Sequence, residues 1–122
     1  MMDKKEAKLA WKNAKRAMGI YQIRNTVNGK VLVGSSPDLE GRRNRFAFEM
    51  RNGSLGKNRI LNEELKRFGP DCFVFEVLDQ LETEEDDPKK IPEELEVLEA
   101  AWLEKVRPFN ERGYNTPPQE GR

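Results

Sequence analysis

Two β-prone runs, residues 19–26 (GIYQIRNT) and 30–34 (KVLVG), flank Val27-Asn28-Gly29. An Asn-Gly pair readily adopts the positive φ angles of a tight antiparallel turn, so this pattern specifies a β-hairpin. Residues 72–79 (CFVFEVLD) read as a third strand with Phe73, Phe75 and Val77 on one face. Three strands cannot bury both faces of their own sheet, so helices must cover it. The fold class expected is therefore α+β, a small three-stranded antiparallel sheet flanked by helices, in the order α-β-β-α-α-β-α.

The helices are legible from their ends. Residues 3–17 form a basic helix with Leu9 and Trp11 among lysines; so thin an apolar stripe suits surface packing or a nucleic-acid-facing arm. Ser36 can cap the next helix, with Pro37 in its first turn and Asp38 and Glu40 complementing its dipole. That helix runs to about Asn52 and stops at Gly53. Another spans about residues 58–68 and ends at Gly69-Pro70. Residues 82–92 read as an acidic, proline-bounded, solvated loop. A last helix over residues 93–106 is closed by Pro108. The organisation expected is a basic helix at 1–17, one domain at 18–116 and a disordered tail at 117–122.

Histidine is absent. A Ser-His-Asp triad, a Cys-His pair and a histidine-ligated metal are thereby excluded. Acid–base work falls to Tyr, Lys, Glu or Asp, and any metal would be a hard cation on carboxylates. The single cysteine, Cys72, permits no intramolecular disulfide and reads as a buried apolar thiol in a cytoplasmic protein. No membrane span or signal peptide is apparent. The net charge of zero conceals an asymmetry. Residues 1–70 hold 16 Lys and Arg against 7 Asp and Glu; residues 71–122 hold 6 against 15. The basic half either attracts phosphates or is neutralised by the acidic half in the fold.

The ordered set of residues resembles the GIY-YIG nuclease superfamily over about residues 18–116. Gly19-Ile20-Tyr21 begins the first strand, and Leu32-Val33-Gly34 stands as the second motif, with Lys30 before it and Ser35-Ser36 after it. Arg42 lies on the following helix. Asn58, Leu61, Phe68-Gly69 and Phe73-Phe75-Glu76 match the middle, Glu99 with Trp102 the glutamate helix, and Gly113-Tyr114-Asn115 the close. Two positions depart from the family pattern: its second tyrosine is Leu32, and a histidine carried by many members is Phe46.

The resemblance implies hydrolysis of DNA phosphodiesters with a single Mg²⁺ or Mn²⁺ ion. It makes Tyr21, Arg42 and Glu99 the catalytic residues, with Glu99 the metal ligand. Lys30, Gly34 and Asn115 support them. Each has a plainer reading. Glu99 lies within the apolar stripe Leu95–Leu98–Trp102–Leu103–Val106, where a carboxylate needs a cation or an arginine partner. Arg42 can fork onto phosphate oxygens, or be a solvated arginine like Arg43 and Arg45. Tyr21 is the base or water-positioning phenol, or a half-buried strand aromatic; an unperturbed phenol working near pH 7 as phenolate costs about 4 kcal/mol. Lys30 contacts phosphate or stays solvated. Gly34 allows close approach of backbone or phosphate, and Asn115 orders the closing turn.

Two functions of different class follow. One is a metal-dependent endonuclease. The other is a catalytically degenerate module on the same fold that binds DNA through Arg42, Arg43, Arg45, Lys57 and Arg59, or binds protein through its acidic loop. No zinc finger or additional helix-turn-helix is apparent, so DNA targeting is expected to be sequence-neutral or supplied by a protein partner.

Overall fold

The computed structural model describes residues 16–83 and 87–117. Most of the expected N-terminal helix lies outside these residues; Arg16 and Ala17, at its end, are not helical. Residues 118–122 also lie outside. Six main elements follow: β1 (Gly19–Asn25), β2 (Val31–Ser36), α1 (Leu39–Asn52), α2 (Arg59–Phe68), β3 (Phe73–Gln80) and α3 (Ile91–Val106). The sheet is antiparallel in the order β2-β1-β3, with Tyr21 opposite Gly34 in the hairpin.

The hairpin turns where the Asn-Gly pair predicts. Gly29 takes φ 78° and donates its N–H to Asn25 O at 2.8 Å. Helix boundaries differ slightly from expectation. Asp38, not Ser36, caps α1, accepting from Gly41 N at 3.0 Å. Ser36 bonds the Asp38 backbone instead and shapes the turn before the helix. Asn58 caps α2 by accepting from Leu61 N. The last helix begins at Ile91, two residues before the expected start. Pro92 falls in its first turn, where the missing N–H is harmless, and a short 3₁₀ turn, Pro88–Lys90, leads into it.

Strand alternation sorts the core into two faces. Tyr21, Ile23, Phe73 and Phe75 pack against Leu39 and Phe46 of α1 and Leu61 and Leu65 of α2. On the opposite face, Ile20, Val31 and Val33 meet Leu98, Trp102, Leu103 and Val106 of α3. Ile20, Ile23 and Leu61 are fully buried, each contributing about 1.5–3 kcal/mol. Val77, expected beside Phe73 and Phe75, is exposed; the β1–β3 register slips between Ile20 and Tyr21, opposite this part of β3.

The chain then returns to cover the outer edge of β2. Tyr114 N donates to Val31 O at 2.9 Å. The Asn115 side chain accepts from Val33 N and donates to Val33 O, both at 2.8 Å. Among the described residues, no helix is long and apolar enough to cross a membrane.

Candidate active site

Tyr21 and Arg42 are brought into contact. Arg42 Nε donates to Tyr21 Oη at 3.2 Å, and the guanidinium lies 5.1 Å from the ring centroid. Tyr21 stacks on Phe75 at 5.1 Å with an interplanar angle of 17°, and Arg43 sits 4.9 Å from the Phe75 ring. A cation–aromatic–aromatic–cation ladder therefore holds the phenol in place. The phenol lies against Gly34: a Cβ there would stand 2.6 Å from Tyr21 Oη. The group that needs the space at this glycine is thus the site's own tyrosine.

Arg42 also donates from Nη1 to Glu49 Oε1 at 2.9 Å, and Glu49 Oε2 accepts from Gly56 N at 3.1 Å. Burial of the guanidinium opposes its charge, but the Tyr21 oxygen and the Glu49 carboxylate outweigh this and raise the Arg42 pKa above its ordinary value. Residues 39, 42, 46, 49 and 50 share one face of α1 at helical spacing, so Arg42 and Glu49 both interrupt an otherwise apolar stripe. Of these two, motif order singles out Arg42 alone. Its partner Glu49 was missed, although two opposite charges within one stripe were the available signal.

Glu99 lies on the other side of the sheet. It is half-buried on α3, and Ser35 Oγ donates to its Oε1 at 2.6 Å. Ser35 follows Gly34 in β2, so the Tyr21–Arg42 pair and Glu99 are set on opposite faces of one edge strand at adjacent residues. Arg42 and Tyr21 are hydrogen-bonded, whereas no hydrogen bond or ion pair joins Glu99 to either of them. Among the described residues Glu99 has no ion-pair partner, so an arginine does not neutralise it there. The Asn115 bonds end at Val33. Ser35 is the next residue of β2 whose backbone groups face outward, and no described residue covers them.

The donor set bears on a cation. No group of three ligating side chains exists among the described residues. One carboxylate whose Oε2 has no partner among the described residues nevertheless suits Mg²⁺ or Mn²⁺, which commonly takes one or two carboxylates and fills its remaining positions with water and substrate phosphate. A dedicated protein cage is not what these residues offer.

Of the supporting residues, Gly34 lies against Tyr21 and Asn115 bonds Val33, while Lys30 falls elsewhere. Lys30 pairs with Glu64 at 3.4 Å rather than with Tyr21. Glu64 also accepts from Asn28 and from Tyr114 Oη. Burial works to raise the Glu64 pKa, but Asn28, Tyr114 and Lys30 prevail and hold it below the usual value. Burial, aided by Glu64 and opposed by Asn25, pushes the Tyr114 phenol up to about 12. The two departures from the motif pattern are filled with apolar packing. Leu32 lies against the core beside Tyr21, and Phe46 meets Phe75 at 5.8 Å between centroids.

Of the candidate phosphate-binding residues, Arg45 is exposed on α1. Lys57 and Arg59 line an open groove of about 560 Å³ with Asn115 and Thr116, and Arg59 also pairs with Glu63. Among the described residues only one ion pair, Arg24–Glu76, joins the basic half to the acidic half.

This arrangement has known relatives. The chain resembles a solved structure described as the catalytic domain of homing endonuclease I-TevI, with 28% identity and a TM-score of 0.62, covering 83% of this chain and 99% of that one. A mutant of the catalytic domain of intron endonuclease I-TevI matches at 27% identity and the same TM-score, covering 81% and 92%. No curated protein sequence matches the chain. The model of the GIY-YIG catalytic domain family matches residues 17–115, and the chain belongs to that family.

Proposed function

We propose that this chain is a slow, metal-dependent endonuclease that hydrolyses DNA phosphodiester bonds. The observation that carries the reading is the Arg42 guanidinium fixed on the Tyr21 phenol beside Gly34. Arg42 binds the phosphate and offsets the charge that grows on its oxygens as the bond breaks. Tyr21 positions the attacking water and, acting as its phenolate, takes up one water proton to become the phenol. Glu99, steadied by Ser35, holds the cation. A bound Mg²⁺ or Mn²⁺ supplies Lewis-acid polarisation of the phosphate and lowers the pKa of coordinated water. Arg43, Arg45, Lys57 and Arg59 add phosphate contacts, so binding falls steeply with salt. A protein partner supplying DNA targeting and a cytoplasmic location, suggested by the lone Cys72, belong to the same proposal.

The test is plasmid relaxation by wild type and Glu99→Ala, with Mg²⁺, with Mn²⁺ and with chelator. Wild type nicks with either metal, faster as pH rises, because the base is a phenol or a metal-bound water; with no histidine in the chain, no titration near 6.5 is expected. Equal backgrounds for wild type and Glu99→Ala overturn the reading. One observation favours a second reading, a module that binds DNA or protein without cutting. The positions of a family tyrosine and histidine hold Leu32 and Phe46, both packed into the core next to Tyr21. Salt-sensitive DNA binding without metal-dependent nicking distinguishes the DNA-binding form.

A further inference from the structure

Glu49 is a carboxylate in a core position. It is 8% exposed and lies seven residues after Arg42 on α1. An apolar residue of similar volume often replaces such a buried ion pair with no loss of stability, so stability alone gives weak reason to keep one. We propose that Glu49 is a positioning residue, fixing the Arg42 guanidinium on the Tyr21 phenol in the orientation that meets a phosphodiester. This rests on the reading above that Arg42 binds the phosphate.

A guanidinium carries five N–H donors in one rigid plane. Tyr21 engages Nε and Glu49 engages Nη1. Two anchors on different nitrogens fix both the location of the plane and its rotation. The second proton on Nη1 and both on Nη2 have no partner among the described residues and remain for substrate oxygens. Glu49 is itself held from a second direction. Gly56 N, in the connection between α1 and α2, donates to Oε2, so the carboxylate cannot simply follow a moving arginine. The tyrosine is held by its stack on Phe75. Both partners of Arg42 are therefore braced by elements other than Arg42.

Charge and position predict opposite signs for substitution. Removing a negative charge near the phosphate strengthens DNA binding on electrostatic grounds. Losing the orientation slows the chemical step. Glu49→Gln is therefore expected to lower kcat by about tenfold, with Kd for a short duplex unchanged or tighter. Glu49→Asp keeps the charge but is too short to reach both Arg42 and Gly56, and should lose kcat similarly; a purely electrostatic role leaves it like wild type. An activity-independent readout is the NMR signal of Arg42 Nε–H, protected from water exchange in wild type and lost in both variants. Either variant suffices if the other fails to fold. Unchanged protection in Glu49→Gln, or full activity in Glu49→Asp, overturns the proposal. If wild type cuts nothing, protection alone decides. If Arg42 loosens while neither Glu49→Gln nor Arg42→Ala alters nicking, the phosphate role of Arg42 fails, and orientation for a phosphodiester fails with it.

Discussion

The two faces of the sheet treat their charged residues differently. On the α1–α2 face, Tyr21, Arg42 and Glu49 form a hydrogen-bonded chain, braced at its two ends by the Phe75 stack and the Gly56 amide. On the α3 face, Glu99 has one hydrogen bond among the described residues, from Ser35. The first arrangement couples chemistry to the integrity of the core. The second leaves a carboxylate with one oxygen unpartnered among the described residues. Activity and stability should therefore separate on one face and move together on the other.

Glu99→Ala and Arg42→Ala give the sharpest contrast. Glu99→Ala should abolish metal-dependent nicking, a loss of about a thousandfold or more, yet reduce stability by only about 1 kcal/mol for one hydrogen bond. Arg42→Ala should lose about a hundredfold in activity and also about 3 kcal/mol of stability, because Glu49 is left buried without its cation. Urea unfolding beside plasmid relaxation checks both; equal stability losses would erase the distinction between the faces. A smaller effect is expected from restoring the family groups. Leu32→Tyr with Phe46→His should raise the nicking rate about tenfold, and no gain in a folded double variant would show that those positions no longer address the reaction.

The alkaline limit tests the polar cluster around Tyr114, on the same face as Tyr21. Its phenol is pushed up to about 12, above the ordinary value near 10. Stability from this group is complete below pH 10 and lost as pH rises through 12, on the order of 2 kcal/mol. Tyr114→Phe should remove that decline, and an unchanged alkaline slope in denaturation curves would refute its origin. The smallest effect belongs to Arg45→Ala, which should weaken DNA binding a few-fold and reduce the log–log salt slope by about one.

The hairpin, the third strand and most helix ends were legible because local turn chemistry and short-period patterning set them: Asn28-Gly29, Gly53 and Asn58 act where expected, whereas Asp38 takes the place of Ser36 as the cap of α1. The start of α3 was less so, because Pro92 reads equally as loop punctuation and as a first-turn helical residue. Motif order singles out Tyr21, Arg42 and Glu99 as candidates but not their mutual placement, since odd and even residues of β2 point to opposite faces, and Gly34 and Ser35 differ by one. Glu49 escaped notice because its role depends on Gly56, brought in by a loop, and on Arg42, two turns away.

The grip of Asn115 on both backbone groups of Val33 has a consequence for how copies of this chain meet. One side-chain amide there does the work of one peptide unit in a missing fourth strand. An edge strand with free backbone groups is a template for pairing with another molecule, and self-association is its usual fate. By occupying that register, Asn115 keeps β2 from recruiting a neighbour while leaving the next step, at Ser35, open. Asn115→Ala should thus show itself first as concentration-dependent aggregation, seen by light scattering, before any change in fold.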